Sequence, residues 1–269
     1  CCPDSALLLL QGIEQPQKMG KTDRAFYALL LTKAEDKNYV THTTDSLIRT
    51  ALDYYLQYGT TRQKMEVWYY MASVYRDLGD APRAIDCFQE AIEVSESDTE
   101  LKLLSQTYGQ MGTLFFYQRL PEEGVNAYKK SYELAVLAND SSRLANSSVM
   151  MARVYTQLDN VDSTLFYYKK AADIAQQLGD KRLEEIAQTA LAGIYVQLNR
   201  LEEARHLLVG VKKSEVDCLI WGNLYEKSGK ADSSRYSYLK ALAPENLYVT
   251  RAANEGLYRL AKSCNKEKD

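Results

Sequence analysis

Apolar residues along this chain recur at steps of three and four, and no stretch shows the strict alternation of a half-buried strand. Between Lys64 and Ser97, Trp68, Met71, Ala72 and Tyr75 share one helical face. Leu78-Gly79-Asp80 interrupts the pattern, and Gly79 suits the left-handed conformation that ends a helix. Pro82 follows in a first turn, where a missing N–H is tolerated. Ala84, Cys87, Phe88 and Ala91 then resume the spacing, with Ala84 small enough to let two helices approach closely. The pattern predicts two amphipathic helices joined by a tight turn.

The same order of residues returns. Met111-Gly112, Phe115, Gly124, Tyr128 and Ser131 fill the slots, then Met151-Ala152, Tyr155, Thr164, Tyr168 and Ala171. Leu191-Ala192, Tyr195, Ala204 and Leu208 form a fourth copy, and Trp221-Gly222, Tyr225, Ser234, Tyr238 and Ala241 a fifth. Ala72, Gly112, Ala152 and Ala192 stand 40 residues apart, and Gly222 follows after only 30.

This series resembles the tetratricopeptide repeat (TPR), whose Trp, Leu-Gly, Tyr, Ala, Phe and Ala positions fall on Trp68, Met71-Ala72, Tyr75, Ala84, Phe88 and Ala91. The reading is an all-α fold, an α-α superhelix in which antiparallel helix hairpins stack as a solenoid. One solenoid is expected over 1–269: degenerate N-terminal helices in 1–60, five hairpins in 61–243, and a C-terminal capping helix in 244–269. A stack needs such atypical ends because a terminal repeat has no neighbour to cover it. Helices are expected over about Asp23–Glu35, Thr44–Tyr58 and Asn246–Cys264. Breaks are expected near Gly59, Gly79, Arg119, Asn139, Asn160, Gly179, Asn199, Val211 and Gly229. Pro3, Pro82, Pro121 and Pro244 fall at expected helix starts.

A net charge of −3 without a basic stripe excludes a phosphate-tracking surface, so no nucleic-acid partner is expected. The 21 tyrosines against 5 phenylalanines fill many repeat slots, where a ring packs and its hydroxyl reaches outward. His42 and His206 stand in no metal-type spacing, and Cys87 and Cys218 fit apolar helix positions without forming a CxxC pair. Glu122-Glu123, Glu184-Glu185 and Glu202-Glu203 read as first-turn acids complementing helix dipoles. No catalytic residue, metal or cofactor is expected.

The opening CCPDSALLLLQGI, the segment DRAFYALLLTKA and the segment TTDSLI resemble a family of Bacteroidota cell-envelope TPR proteins. That resemblance implies a lipid on Cys1 and a sensing region on the periplasmic or surface side. The membrane would be met only through that anchor or through a segment outside this chain. A cytoplasmic location is the alternative.

In TPR proteins the first helix of each hairpin lines a concave groove. The matching positions here are Tyr69, Ser73 and Arg76, then Gly109, Thr113 and Phe116, then Val149, Arg153 and Thr156. The fourth copy supplies Thr189, Gly193 and Val196, and the fifth Leu219, Asn223 and Glu226. No copy pairs Lys with Asn as carboxylate-clamping modules do. Tyr69, Ser73, Arg76, Thr113, Phe116, Arg153 and Thr156 are therefore the expected contacts for a protein or peptide, held by stacking and arginine hydrogen bonds. The function expected is a non-catalytic binding scaffold of the envelope. An intracellular receptor for a small peptide or metabolite, or a glycan-uptake accessory protein, is the competing reading.

Overall fold

The computed structural model describes residues 3–95, 100–211 and 214–266, with side chains to residue 263. Cys1, the expected lipidation site, lies outside the described residues. Among them are fourteen α-helices and no strand.

The helices divide between two compact units, the first ending at Val154 and the second starting at Tyr155. The first holds α1 (Pro3–Gln11), α2 (Lys21–Lys37), α3 (Ser46–Tyr58), α4 (Thr61–Asp77), α5 (Ala81–Glu93), α6 (Leu101–Tyr117), α7 (Pro121–Leu137) and most of α8 (Ser141–Gln157). The second holds α9 (Val161–Leu178), α10 (Lys181–Gln197), α11 (Leu201–Val209), α12 (Glu215–Lys227), α13 (Ala231–Lys240) and α14 (Leu247–Lys266).

Local chemistry sets the helix ends. Gly79, Arg119, Asn139, Asp159, Gly179, Asn199 and Gly229 adopt positive φ. After each, the next amide donates to the carbonyl five residues back, as from Asp80 to Tyr75 at 2.9 Å and from Lys230 to Tyr225 at 2.9 Å. This is the Schellman closure of a helix C-terminus. Glycine enters that conformation freely, whereas the four other residues pay about 1 kcal/mol each. Two of the expected breaks fall in place but are closed by other chemistry. The left-handed residue is Asp159, and Asn160 instead caps α9 by accepting from Ser163 N at 3.0 Å. Gly59 is extended, and α4 starts from a capping box between Thr60 and Gln63. Pro244 lies in a turn before α14, whose first turn is capped by Asn246 Oδ1 accepting from Val249 N at 3.2 Å.

In the first unit, α4 packs against α2, α3, α5 and α6. It is accordingly buried without interruption from Tyr69 to Tyr75. Its core partners include Ala28, Ile48, Leu52, Ala84 and Phe88. Phe88 is fully buried, so truncation to alanine would cost about 3–5 kcal/mol. Polar ties run beside this core. Ser105 Oγ donates to Ser131 O at 2.7 Å, and Ser131 Oγ lies 3.0 Å from Ser147 Oγ, linking α6, α7 and α8 through small buried side chains.

In the second unit, Ala192, Tyr195, Leu208, Ile220 and Leu224 form one cluster, and Tyr238, Val249, Ala253 and Leu260 a second. Lys227 Nζ on α12 donates to Val196 O and Gln197 O at 2.8 and 3.1 Å, so a cation caps the C-terminus of α10. The 30-residue spacing of the fifth copy appears as short helices: α11 has 9 residues against 17 in α7 and 18 in α9, and α12 has 13 against 17 in α10.

Candidate functional site

The groove positions are decided by what the neighbouring helices do with them. In the first unit, Tyr69 and Ser73 are 1% and 0% exposed. Tyr69 OH accepts from Gln106 Nε2 at 2.6 Å, and Ser73 Oγ donates to Tyr69 O at 3.3 Å. Burial pushes the Tyr69 hydroxyl pKa up to about 12. These two are corrected from groove contacts to core residues. The reason is that α2 and α6 enclose α4 on both sides.

Arg76 is embedded in carboxylates. Its Nη2 stands 3.1 Å from Asp36 Oδ1 and 2.8 Å from Asp77 Oδ1, and its Nη1 donates to Gln110 Oε1 at 3.3 Å. With these partners engaged, the guanidinium ties α2, α4 and α6 together and has little left to offer a ligand.

Thr113 is half-buried and accepts the Tyr128 hydroxyl at 3.0 Å. Asn223 and Glu226 meet the same fate in the second unit. The Tyr238 hydroxyl lies 2.8 Å from Asn223 Oδ1 and within reach of Glu226, whose carboxylate also receives Arg259 Nε and Nη2 at 2.9 Å each. Arg259 holds the Glu226 pKa below the usual carboxylate value. Thr189 Oγ1 donates to the buried Asp217 at 2.7 Å.

Phe116, Arg153 and Thr156 keep accessible surface. Phe116 is half-buried with its ring edge-on to the exposed Tyr117 at 5.6 Å. Arg153 is exposed, with Nη1 3.7 Å from Met150 Sδ. Thr156 is exposed and belongs to the second unit. Of the seven expected contacts, these three are not drawn into the core, and Phe116 and Arg153 enter no hydrogen-bonded or ionic tie between helices among the described residues.

One polar constellation had no counterpart in the sequence reading. The segment between α2 and α3 folds back so that His42, with a side chain 6% exposed, sits between α2 and α4. Its Nδ1 is 2.6 Å from Asp77 Oδ2, and its backbone N–H donates to the same oxygen at 3.3 Å. Nε2 lies 3.5 Å from Glu35 Oε2, an ion-pair distance without hydrogen-bond geometry. Burial disfavours the imidazolium, but Glu35 and Asp77 outweigh it and raise the His42 pKa. Asp77 in turn is lowered, burial being overcome by His42 and Arg76. The hollow beside this cluster, lined by Asp36, Tyr39, Val40, Thr41, Arg76 and Asp77, measures about 150 Å³, below the roughly 300 Å³ of a small-ligand site.

Among the described residues no helix is long and apolar enough to cross a membrane. No group of three His, Cys, Asp or Glu among them is disposed to hold a metal.

The sequence profile of the tetratricopeptide repeat matches residues 63–135. No curated protein matches the chain by sequence. Solved structures share its fold. The apo form of RapI is similar with a TM-score of 0.78 at 11% identity, over 97% of this chain and 80% of its own. A Rap protein complexed with competence and sporulation factor is similar with a TM-score of 0.62 at 14% identity, over 96% and 75%. A signal-transduction ATPase with a tetratricopeptide-repeat sensor from Pyrococcus horikoshii gives 0.65 at 19%, over 98% of this chain. This chain spans only 38% of that protein. By its hairpins, its recurring small and aromatic slots and the match over 63–135, the chain is built on the tetratricopeptide-repeat fold.

Proposed function

We propose that this chain is a non-catalytic scaffold binding a protein or peptide, and that it serves as the extracytoplasmic sensing part of a bacterial envelope regulatory protein. The observation that carries the binding reading is the accessible aromatic and arginine set, Phe116 and Tyr117 at the end of α6 and Arg153 on α8, left free where Tyr69, Ser73 and Arg76 are absorbed into the fold. Aromatic rings and arginine are the side chains that dominate binding energy at protein interfaces. The similar Rap protein holds competence and sporulation factor, and the similar Pyrococcus horikoshii ATPase uses its repeats as a sensor. In support of the non-catalytic part of this reading, His42 is held between the carboxylates of Glu35 and Asp77.

Capture of partners from native extract by the whole chain tests the reading. A partner retained by the native chain should be lost with Phe116→Ala combined with Arg153→Glu, both of which leave the core intact. If every partner survives the double substitution, the binding surface lies elsewhere. The envelope reading is tested separately: palmitate incorporation that depends on Cys1 supports it, and a soluble cytoplasmic pool removes it.

A further inference from the structure

The second unit carries a concavity lined by α12 and α13. α11 stops at Val209, and residues 214–240 then supply those two helices, over which the concavity opens with a volume of about 750 Å³. That volume lies within the roughly 300–1,000 Å³ of small-ligand sites. Its wall includes Glu215, Trp221, Tyr225, Asp232, Tyr236 and Lys240.

Trp221 and Tyr225 stack on one another, centroids 5.2 Å apart and planes 25° from parallel. Both pack in part against the Ala192–Leu224 cluster and also line the concavity. Trp221 Nε1 is buried with no hydrogen-bond partner among the described residues; this donor calls for an acceptor, which a backbone carbonyl of a bound peptide can supply and its cationic side chain cannot. Glu215 and Asp232 are exposed and enter no ion pair among the described residues. Each also sits in the first turn of its helix, where the dipole favours an acid. The dipole explains the carboxylates but not the aromatic pair in the same wall. Lys240, the one cation in the wall among the described residues, stands 5.7 Å from the Tyr236 ring centroid.

We propose that this concavity seats a basic side chain of a peptide partner, its guanidinium or ammonium stacked on the Trp221–Tyr225 pair and paired with Glu215 and Asp232. The inference rests on the peptide-binding reading. Among the described residues, two carboxylates against one ammonium set beside a ring repel a phosphate-bearing ligand and attract a cation. An aromatic face adds cation–π attraction that Arg uses best. A purely aliphatic occupant would leave both carboxylates against apolar surface.

The indole N–H of Trp221 reports on this site directly. With the whole chain labelled with nitrogen-15 and the resonance assigned by Trp221→Phe, N-acetyl-arginine amide should shift it saturably in the millimolar range, and N-acetyl-glutamate amide should not. Glu215→Gln with Asp232→Asn should weaken the arginine probe by about tenfold or more while circular dichroism stays unchanged. An unmoved resonance, an equal response to the glutamate probe, or an equal affinity in the double variant overturns the proposal. If arginine amide binds here but no partner is captured, the peptide reading alone falls. If a partner is captured while the Trp221 resonance stays still, this proposal alone falls.

Discussion

The Tyr238 ring rests against Gly222 so closely that a β-carbon at Gly222 would stand 2.5 Å from Cδ1. On its other side Gly256 of α14 comes equally near, a β-carbon there lying 2.4 Å from Cζ. The ring is thus clasped between two glycines on two helices and has no room to swing aside. Gly112 and Tyr128 repeat the relationship in the second copy, at 2.8 Å. In both copies the tyrosine hydroxyl crosses to the residue after the glycine, Thr113 or Asn223.

Gly222→Ala should therefore destabilise the chain. Alanine in a helix normally gains about 1 kcal/mol over glycine, but overpacking against a trapped ring costs more, for a net loss of about 2 kcal/mol. Urea unfolding of Gly222→Ala, Tyr238→Leu and the double variant checks this. The alanine should cost markedly less once the ring is gone, the coupling that a double-mutant cycle measures.

The two groove arginines should behave oppositely. Arg76→Glu would place a third carboxylate beside Asp36 and Asp77, and a loss of about 2 kcal/mol or more is expected, read as a lower melting temperature. Arg153→Glu, at an exposed position, should stay within about 0.5 kcal/mol of the native chain. A binding defect from Arg76→Glu would consequently report folding rather than contact.

His42 makes stability depend on pH in a defined direction. Its folded pKa is raised above 6.5, so its contribution is fully present below that value and is lost as pH rises through the folded pKa. Asp77 is lowered below 3.8, so its contribution holds above that value and is lost as pH falls through the folded pKa. The cluster is therefore strongest between these limits, on the mildly acidic side of neutrality. Unfolding free energies of the native chain and of His42→Gln, taken from about pH 5 to about pH 9, should converge as pH rises.

The fold was legible in the sequence because each repeat encodes its own hairpin. Spacing located the helices, and Gly79, Gly179 and Gly229 marked left-handed ends that only the backbone of glycine reaches without strain. The site was legible only in part. Whether Tyr69 faces a groove depends on Gln106, and whether Arg76 is free depends on Asp36, partners 37 and 40 residues away. No local periodicity carries such pairings. The Asp77–His42 contact was hidden for the same reason, and the segment between α2 and α3 that carries His42 lacks the Gly or Pro that signals a turn, turning instead through Tyr39 at a φ of 56°.

Cys87 offers a check on the core. Burial lifts its thiol pKa to about 12, so almost no thiolate exists at neutral pH. Peptide mapping after a brief exposure to iodoacetamide should find Cys87 unmodified in the folded chain and alkylated in urea. Alkylation without denaturant would mean that α5 is not packed as described.

The most direct test of the binding account is photo-crosslinking of a captured partner from benzoylphenylalanine placed at Phe116 and, as a control, at the exposed Glu122 on α7. The account predicts a crosslinked partner from position 116 and none from 122. A partner crosslinked from 122 and not from 116 would contradict it.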